Sequence, residues 1–425
     1  RLRKVPVYPR HVSTSRCART KHFAEANYVV FSSFLRQHQD KLLFTILGNL
    51  PCVEILLTMP DDQQHQFSAP LKGPKADLKI HSKGAVRRIL SDGKMGFCEA
   101  FMDGQVSSNT LPDLIELAAR HDTYLEEQLK TNMLRKWGLR LFHYFRRNSK
   151  VGSAKNIAHH YDLGNSFYQA WLDPTMTYSS AVFDSDDDDL TKAQINKYKR
   201  LAELADLQPG DQVLEIGFGW GGFAKYVTSE IGAKVTGITI SKEQFAYANH
   251  MLDEAGLGDK VDLRLMDYRD LEGRFDKIIS IEMFEAVGKD YWPTYFAIMS
   301  KVLKKGGRAV IQSITIDHAA YHSYANQPDF IQRYIFPGGM LPSLPMLERP
   351  LADAGLHLVS ENGYASHYAR TLDQWRQRFN ASWPQFSEQQ FDQRFKRMWE
   401  LYLAYCEGGF RAGMIDVKQM LLMHK

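Results

Sequence analysis

The sequence is poor in cysteine and has no long hydrophobic run. Its four cysteines, Cys17, Cys52, Cys98 and Cys406, are scattered without the spacing of a metal site, so we expect no bound metal. Such sparse, scattered thiols are typical of a reducing, cytoplasmic setting. The most apolar stretch, residues 42–59, is interrupted by glycine, asparagine, proline and glutamate. This pattern argues against a membrane-spanning helix.

Acidic residues are missing from two basic segments. Residues 1–21 and 130–150 each contain seven Lys or Arg and no Asp or Glu. Together these segments carry a charge of +14, and the whole chain has a formal net charge of +4. The rest of the chain therefore has a net charge of about −10. A basic surface on an acidic body indicates an anionic partner at one face.

Composition and hydrophobic spacing divide the chain into four regions. These are a basic disordered arm (residues 1–20), a small α/β domain (21–130), a basic linker helix (131–155) and a larger domain (156–425). The linker mixes Leu, Trp, Tyr and Phe with its basic residues. Such a mixture is typical either of a helix packed between domains or of a helix at a membrane surface, and the sequence leaves both open.

Local patterns predict secondary structure within these domains. In the small domain, residues 41–49 and 53–60 predict two strands joined by a turn, and residues 96–106 predict a loop with glycine near each end. From about residue 195 onward, helical and strand-like segments alternate. This alternation predicts an α/β fold with a doubly wound, mostly parallel sheet.

The stretch VLEIGFGWGGFAKYV reads as a strand that runs into glycines and then into a helix. Gly217, Gly219 and Gly222 satisfy G-x-G-x-x-G, a spacing that lets the backbone approach a nucleotide. A NAD site would need an acid at the end of the next strand, which instead ends TGITIS. Glu215 and the Gly221-Gly222 pair resemble the first motif of class I S-adenosylmethionine (SAM) methyltransferases. There the glycines admit the amino-acid end of SAM, and the acid helps to hold its ammonium group.

The same resemblance assigns further contacts to SAM. Asp267, in LMDYRD, would accept a hydrogen bond from the adenine amino group, with Tyr268 beside the ring. Gln244, in SKEQ, would contact the ribose in place of the missing acid, and Thr239 completes this group.

Six motifs in sequence order narrow the resemblance to the cyclopropane-fatty-acyl-phospholipid synthase family. They are AHHYDLGNSFYQAWLDPTMTYSSAVF, GFGWGGFA, GITISKEQ, SIEMFEAVG, RYIFPGGMLPS and GGFRAGMIDV. The stretch GFCEAFMDG also resembles the family's smaller, lipid-carrier-like domain. The resemblance implies a class I methyltransferase domain with a mostly parallel, seven-stranded sheet, preceded by a small domain that interacts with lipid or membrane. It also implies that Tyr161, Tyr178 and Ser179 contact the cofactor.

The family resemblance implies methylene transfer from SAM to the cis double bond of a phospholipid acyl chain. A carbocation forms, and a base removes a proton from the added methyl group so that a ring closes. In the family a bicarbonate ion acts as the base, and Glu285 and Tyr368 match positions that hold it. Ser180 and Gln312 belong to the same pocket, and Cys406 stands where the family also has a cysteine.

Two positions depart from the family pattern. The family usually has Cys at the position of Ser180 and His at the position of Gln312. Gln312 keeps a donor and an acceptor but cannot become a cation, so bicarbonate should be held less firmly. A misplaced base would give a methylene- or methyl-branched chain in place of a ring. A third interpretation is a lipid-binding protein without catalytic activity. The intact glycine motif, Glu285 and Tyr368 argue against that third interpretation.

The implied substrate sets the expected partners. An acyl chain moved into water would lose about 0.8 kcal/mol per CH₂, so the double bond must enter an apolar tunnel that opens at the membrane. Residues 333–347 are rich in apolar residues, Gly and Pro, and predict part of such a tunnel or a buried connection. We expect a peripheral protein at the anionic inner face of the membrane, with no nucleic-acid partner. The resemblance also implies a homodimer.

Overall fold

The computed structural model describes residues 39–129, 163–386 and 391–425. The predicted basic arm, the linker and Tyr161 lie outside these residues. A boundary between two compact units falls after Leu50. In the first unit, residues 39–48 are helical, so the strand predicted at 41–49 is wrong. Leu43, Ile46, Leu47 and Leu50 are buried at the spacing of one helix face, which a short apolar run does not distinguish from a strand.

The second unit begins with a four-stranded sheet in the order β2-β1-β3-β4. Its strands are β1 (Glu54–Thr58), β2 (Gln64–Ser68), β3 (Lys75–Ile80) and β4 (Val106–Ser107). β1 pairs antiparallel with β2 and parallel with β3, and β3 pairs antiparallel with β4. β1 confirms the strand predicted at 53–60.

Three helices accompany this small sheet: α1 (Lys83–Met102), α2 (Leu111–Arg120) and α3 (Asp122–Gln128). α1 is kinked at Gly93, where φ is 58°, and its second part runs to Met102, so the loop predicted at 96–106 is wrong for most of its length. Met95, Cys98 and Met102 are buried at helical spacing, so packing against the sheet outweighs the loop signal of the flanking glycines.

A seven-stranded sheet forms the larger domain, in the order β10-β11-β9-β8-β5-β6-β7. Its strands are β5 (Gln212–Ile216), β6 (Lys234–Thr239), β7 (Val261–Leu265), β8 (Phe275–Ile281), β9 (Leu303–Ile316), β10 (Leu356–Gly363) and β11 (Ile415–His424). β5 to β9 pair in parallel, and β11 is antiparallel to both of its neighbours. The predicted doubly wound, mostly parallel sheet is confirmed.

Helices cover both faces of this sheet. The α-helices described in the larger domain are α4 (Asn165–Gln169), α5 (Leu190–Ala205), α6 (Gly222–Tyr226), α7 (Lys242–Glu254), α8 (Trp292–Val302), α9 (His318–Asn326), α10 (Leu344–Asp353), α11 (Ala365–Ser382) and α12 (Gln393–Arg411). Successive residues of a strand pack into hydrophobic cores on opposite faces of the sheet. Leu214 and Ile278 belong to one core, and Val213 and Ile279 belong to the other. This period of two is the signature of a strand buried on both faces.

The small sheet domain packs on α12 of the larger domain. A Cβ built at Gly408 would lie 2.7 Å from Ile115 Cγ2 of α2, so this helix contact requires glycine. Arg333 pairs with Glu99 at 3.0 Å, and Arg394 pairs with Asp103 at 2.9 Å. Within the described residues, no helix is both long enough and apolar enough to cross a bilayer.

Candidate active site

The site lies where the strand order of the large sheet reverses. β5 and β8 are parallel neighbours, and the chain leaves them toward opposite sides of the sheet. Open α/β sheets bind ligands in the crevice at the carboxyl ends of such a strand pair. Beyond β5 come Gly217 and the glycine loop, and beyond β8 come Glu282 and Glu285.

The glycine loop has the backbone that its sequence predicts. Gly217, Gly219 and Gly221 have φ values of 83°, 56° and 88°, in the left-handed region that favours glycine. Cβ atoms at Gly217 and Gly221 would crowd Met283 and Ala248, respectively. A Cβ at Gly219 would meet no described atom within 4 Å, so Gly219 borders the open space where a ligand can approach the backbone.

Glu215, one residue before the end of β5, is a buried acid with spare hydrogen-bonding capacity. Among the described residues its Oε2 has no hydrogen-bond partner. Burial raises the pKa of Glu215 well above its usual value, although the nearby Lys197 ammonium opposes the shift. A bound ammonium group would satisfy Oε2 and stabilise the ionised form. Glu215 and the glycine loop therefore fit the amino-acid end of SAM.

Lys197 is a buried cation that sequence reasoning did not select. Its Nζ donates to Ser179 Oγ at 2.6 Å, and Gln194 Nε2 donates to the Ser179 carbonyl at 2.9 Å. Burial lowers the pKa of Lys197 to about 7, against the attraction of Glu282, Asp173 and Glu215. Ser179 is thus held by α5, and its Oγ accepts from Lys197 while its O–H remains a donor.

The residues predicted to bind the nucleoside lie at the end of β6 and beyond β6 and β7. Thr239 Oγ1 donates to Gln244 Oε1 at 2.9 Å, which leaves the Gln244 amide donors for a ribose. Asp267 is bound by Arg269 through both carboxylate oxygens, with Nη2 to Oδ2 at 2.6 Å. Tyr268 Oη is buried and has no hydrogen-bond partner among the described residues. Arg269 thus fixes the orientation of Asp267 and uses part of its accepting capacity.

Three of the residues predicted to hold bicarbonate converge on Glu282. Glu282 Oε1 accepts hydrogen bonds from the Ser180 backbone N–H and from Gln312 Nε2, both at 2.8 Å. Glu282 Oε2 accepts from Tyr368 Oη at 2.6 Å. Sequence reasoning missed Glu282, although SIEMFEAVG shows two carboxylates directly after a strand. Only the second of them, Glu285, matched a family position.

Sheet pairing holds the Glu282 pocket in place. Gln312 of β9 pairs with Ile281 of β8 on one side and with Gln419 of β11 on the other. The Glu282 N–H donates to the Gln312 carbonyl at 2.7 Å. Glu282 itself has a φ of 50°, a strained value for a residue other than glycine. Such strain is typical of a functional position.

Glu285 lies beside this pocket and differs from Glu282 in its partners. Its Oε1 accepts from the Ile314 N–H at 2.5 Å, while Oε2 has no partner among the described residues. Burial, and then repulsion from Glu282, raises the pKa of Glu285 to about 8. Glu285 is therefore mainly protonated at neutral pH and can donate a hydrogen bond.

An aromatic layer connects the glycine loop with the Glu282 pocket. Trp220 of the loop contacts Tyr168, which contacts Tyr178, with ring centroids 5.0 and 5.6 Å apart. Tyr178 contacts Trp375 at 5.3 Å, and Trp375 contacts Tyr368 at 6.1 Å. The structure therefore places Tyr178 between the predicted cofactor loop and the carboxylate pocket.

Cys406 completes the predicted set. It is a free thiol on α12, and burial together with the charges of Asp329 and Glu282 raises its pKa, so the thiol stays protonated. No cluster of His, Cys, Asp or Glu suited to a metal ion occurs within the described part of the chain.

Fold and site together define a class I SAM-dependent methyltransferase. A family model described as mycolic acid cyclopropane synthetase matches residues 148–420, and the chain belongs to this family. The chain is 35% identical to a cyclopropane-fatty-acyl-phospholipid synthase of Escherichia coli (strain K12), over 87% of the chain and 96% of that protein. It is 39% identical to the tuberculostearic acid methyltransferase UfaA1 of Mycobacterium tuberculosis, over 83% of the chain and 84% of that protein.

Solved structures agree with the sequence comparison. The mycolic acid cyclopropane synthase CmaA1, complexed with SAH and CTAB, matches with a TM-score of 0.60 and 30% identity, over 64% of this chain and 98% of that one. The cyclopropane synthase MmaA2 from Mycobacterium tuberculosis matches with a TM-score of 0.60 and 32% identity, over 63% of this chain and 97% of that one. The family predicted from the sequence motifs is confirmed.

Proposed function

We propose that this enzyme methylates the cis double bond of phospholipid acyl chains with SAM and closes a cyclopropane ring. The observation that supports this most directly is the pocket at the end of β8. There a hydrogen-bonded carboxylate, Glu282, lies beside aromatic side chains and next to the glycine loop. A proton acceptor and a cation-stabilising wall in one crevice suit a reaction that passes through a carbocation.

The proposed SAM contacts are Gly219 and Glu215 for the amino-acid end, Gln244 for the ribose, and Asp267 with Tyr268 for adenine. When bound, SAM supplies the methyl group that the π electrons of the double bond take up, while the C–S electron pair stays on sulfur and a carbocation remains in the acyl chain. The chain's own task is to orient the alkene, exclude water and accept a proton.

The aromatic side chains around Glu282 suit a carbocation. The rings of Tyr368 and Phe410 lie 4.6 Å apart, and Tyr178 Oη bonds Tyr402 Oη at 2.7 Å. A cation over a desolvated aromatic face gains about 2 kcal/mol. In contrast, Phe284 is fully buried against Trp292 and belongs to the core, not to this wall.

The predicted tunnel segment, residues 333–347, lies at the same pocket. The Met340 N–H donates to the Glu285 carbonyl at 2.9 Å, and the Phe336 and Tyr402 rings are 6.1 Å apart. Tyr334 instead donates to Glu99 of the small domain at 3.2 Å. We propose that residues 336–340 guide the acyl chain, while Arg333 and Tyr334 tie this segment to the small domain.

A second candidate function is methylation that ends in a branched chain. The 39% identity to a tuberculostearic acid methyltransferase favours it, as do Ser180 and Gln312 in the pocket. Both outcomes need the same cofactor and the same alkene. They differ in how the carbocation is resolved. Loss of a proton from the added methyl group with bond formation to the cationic carbon closes the ring, whereas a hydride shift before that loss, or loss of a proton from the acyl chain itself, leaves a branched chain with an alkene.

The test is incubation of the enzyme with SAM and vesicles of unsaturated phospholipid, followed by mass spectrometry of the acyl chains. A gain of one CH₂ without an alkene supports the ring, and a gain with a retained alkene supports the branched product. No gain from a protein that binds SAM contradicts both.

We also propose that the enzyme works as a peripheral protein on the anionic inner face of the membrane, and as a homodimer. Support for the first comes from the basic residues 130–150, which offer positive charge to such a surface. Support for the second is the family resemblance alone. Flotation with vesicles and sedimentation in solution test these two points.

A further inference from the structure

Glu282 occupies the set of donors that the family resemblance reserves for an exogenous anion. We propose that the Glu282 carboxylate is the general base of the reaction and takes the place of bicarbonate. This inference rests on the proposed function, because the proton it removes comes from the methylated acyl chain.

Three hydrogen-bond donors around the Glu282 carboxylate support this proposal. The Ser180 N–H, Gln312 Nε2 and Tyr368 Oη all bond Glu282, at 2.8, 2.8 and 2.6 Å. A carboxylate and bicarbonate present the same pair of oxygen atoms on a planar carbon. The three donors therefore bind a carboxylate of the protein, with the same pair of oxygen atoms that bicarbonate would offer them. Cys at the position of Ser180 is not needed for this arrangement, because the backbone N–H makes the contact.

Charge argues against a second anion in the same place. Glu282 and Glu285 already repel each other enough to contribute to the raised pKa of Glu285. Burial raises the pKa of Glu282, whereas hydrogen bonds from Tyr368, Gln312 and the Ser180 backbone oppose that shift and favour the carboxylate form. Bicarbonate beside this carboxylate would add a second negative charge, and like charges at such distances are unfavourable. Gln312 has no positive charge to offset it.

The proposed step balances without a further reactant. A C–H bond of the added methyl group breaks, and its electron pair forms the third bond of the ring at the cationic carbon. The proton goes to a carboxylate oxygen of Glu282. Glu282 is half-buried, so the proton can pass to water once the lipid product has left.

The backbone conformation at Glu282 allows a glycine variant that tests the proposal. Its φ of 50° is a conformation that glycine adopts readily, so Glu282→Gly should fold without strain and open an anion-sized space between the same three donors. Glu282→Gln keeps the volume but cannot accept a proton. Glu272→Gln, at an exposed position remote from these contacts, is the matched control.

The experiment compares wild type, E282Q, E282G and E272Q in buffer with and without bicarbonate. SAM affinity from calorimetry should be equal in all four, which verifies the fold and the cofactor site. We expect E282Q to lose about 10²-fold or more in acyl-chain methylation, the usual contribution of a general base. Wild type and E272Q should keep their rate when bicarbonate is removed, and E282G should regain activity only when it is added.

Binding of ¹³C-labelled bicarbonate, followed by NMR line broadening, gives a readout that does not depend on turnover. E282G should bind the labelled ion, whereas wild type and E282Q should not. Full activity of E282Q, bicarbonate-dependent activity of wild type, or equal bicarbonate binding by wild type and E282G would each overturn the inference. If wild type methylates no acyl chain, the proposed function fails, and the binding comparison still decides whether Glu282 fills the anion site.

Discussion

Gln419 Nε2 on β11 donates to Gln312 Oε1 on β9 at 3.0 Å. This contact fixes the orientation of the Gln312 amide, because its oxygen faces Gln419 and its NH₂ group must then face Glu282. Both side chains are buried. Gln419, two strands away from β8, therefore determines whether the Gln312 amide presents its NH₂ group or its oxygen to the Glu282 carboxylate.

We predict that Gln419→Met shifts the pH dependence of methylation. Without its partner the Gln312 amide can turn its oxygen toward Glu282. The loss of this donor adds to the rise in the Glu282 pKa that burial causes. Since the base must be ionised, the acidic limb of the rate profile should move to higher pH. Lys197, Glu285, Tyr368 and Cys406 also face or influence Glu282 and stay unchanged in this variant. An unshifted profile, with SAM affinity intact, would show that Gln419 does not position the base.

The backbone of the glycine loop could be predicted from the sequence because its residues are close together in the chain. Glu215, Gly217, Gly219 and Gly221 belong to one strand, one turn and the start of one helix, so their spacing alone carries the backbone geometry. The doubly wound sheet is predictable for a similar reason, since alternating helices and strands leave few arrangements.

The carboxylate half could not be predicted in the same way. Ser180, Gln312 and Tyr368 are 102, 30 and 86 residues from Glu282, and only the assembled sheet with α11 brings them together. Family motifs pointed to the donors but not to the acceptor that they share. The error at residues 41–49 has another cause, because a short apolar run fits a strand and a buried helix face equally well.

We predict that Glu285 makes the protein less stable as the pH rises. Its pKa is raised from the ordinary 4.5 to about 8, so the folded protein binds a proton that the unfolded chain releases. Stability should therefore fall between about pH 4.5 and pH 8 and level off above that range. The full effect is about 5 kcal/mol for a shift of this size.

Glu285→Gln tests this linkage, because it keeps an acceptor for the Ile314 N–H but does not titrate. Urea unfolding at pH 5, 7 and 9 should show the variant and wild type closest at pH 5 and the variant more stable at pH 9. Parallel pH dependence of the two proteins would mean that Glu285 is ionised in the folded state, contrary to the burial of its Oε2.

We predict that Glu215→Gln weakens SAM binding without loss of fold. The buried Oε2 has no partner among the described residues, so a bound ammonium would gain a charge-assisted hydrogen bond there. Such bonds contribute about 1.5–3 kcal/mol, which corresponds to an affinity loss of about tenfold or more. Calorimetry with SAM and with SAH should agree, because both carry the same amino-acid end. Unchanged affinity for both would remove Glu215 from the cofactor site, and E272Q again serves as the control.

We predict that charge reversal at Arg146, Arg147 and Lys150 reduces binding to anionic vesicles and leaves SAM affinity unchanged. Each basic residue near an anionic surface contributes about 1 kcal/mol, so three reversals should weaken partitioning by on the order of a hundredfold or more at low salt. The difference should shrink as salt screens the surface. Reversal at three exposed lysines of the larger domain, Lys260, Lys301 and Lys305, changes the net charge equally and tests whether position matters. Equal losses of vesicle binding in both triple variants would mean that only net charge matters. Unchanged vesicle binding after reversal at Arg146, Arg147 and Lys150 would contradict membrane docking through the basic segment.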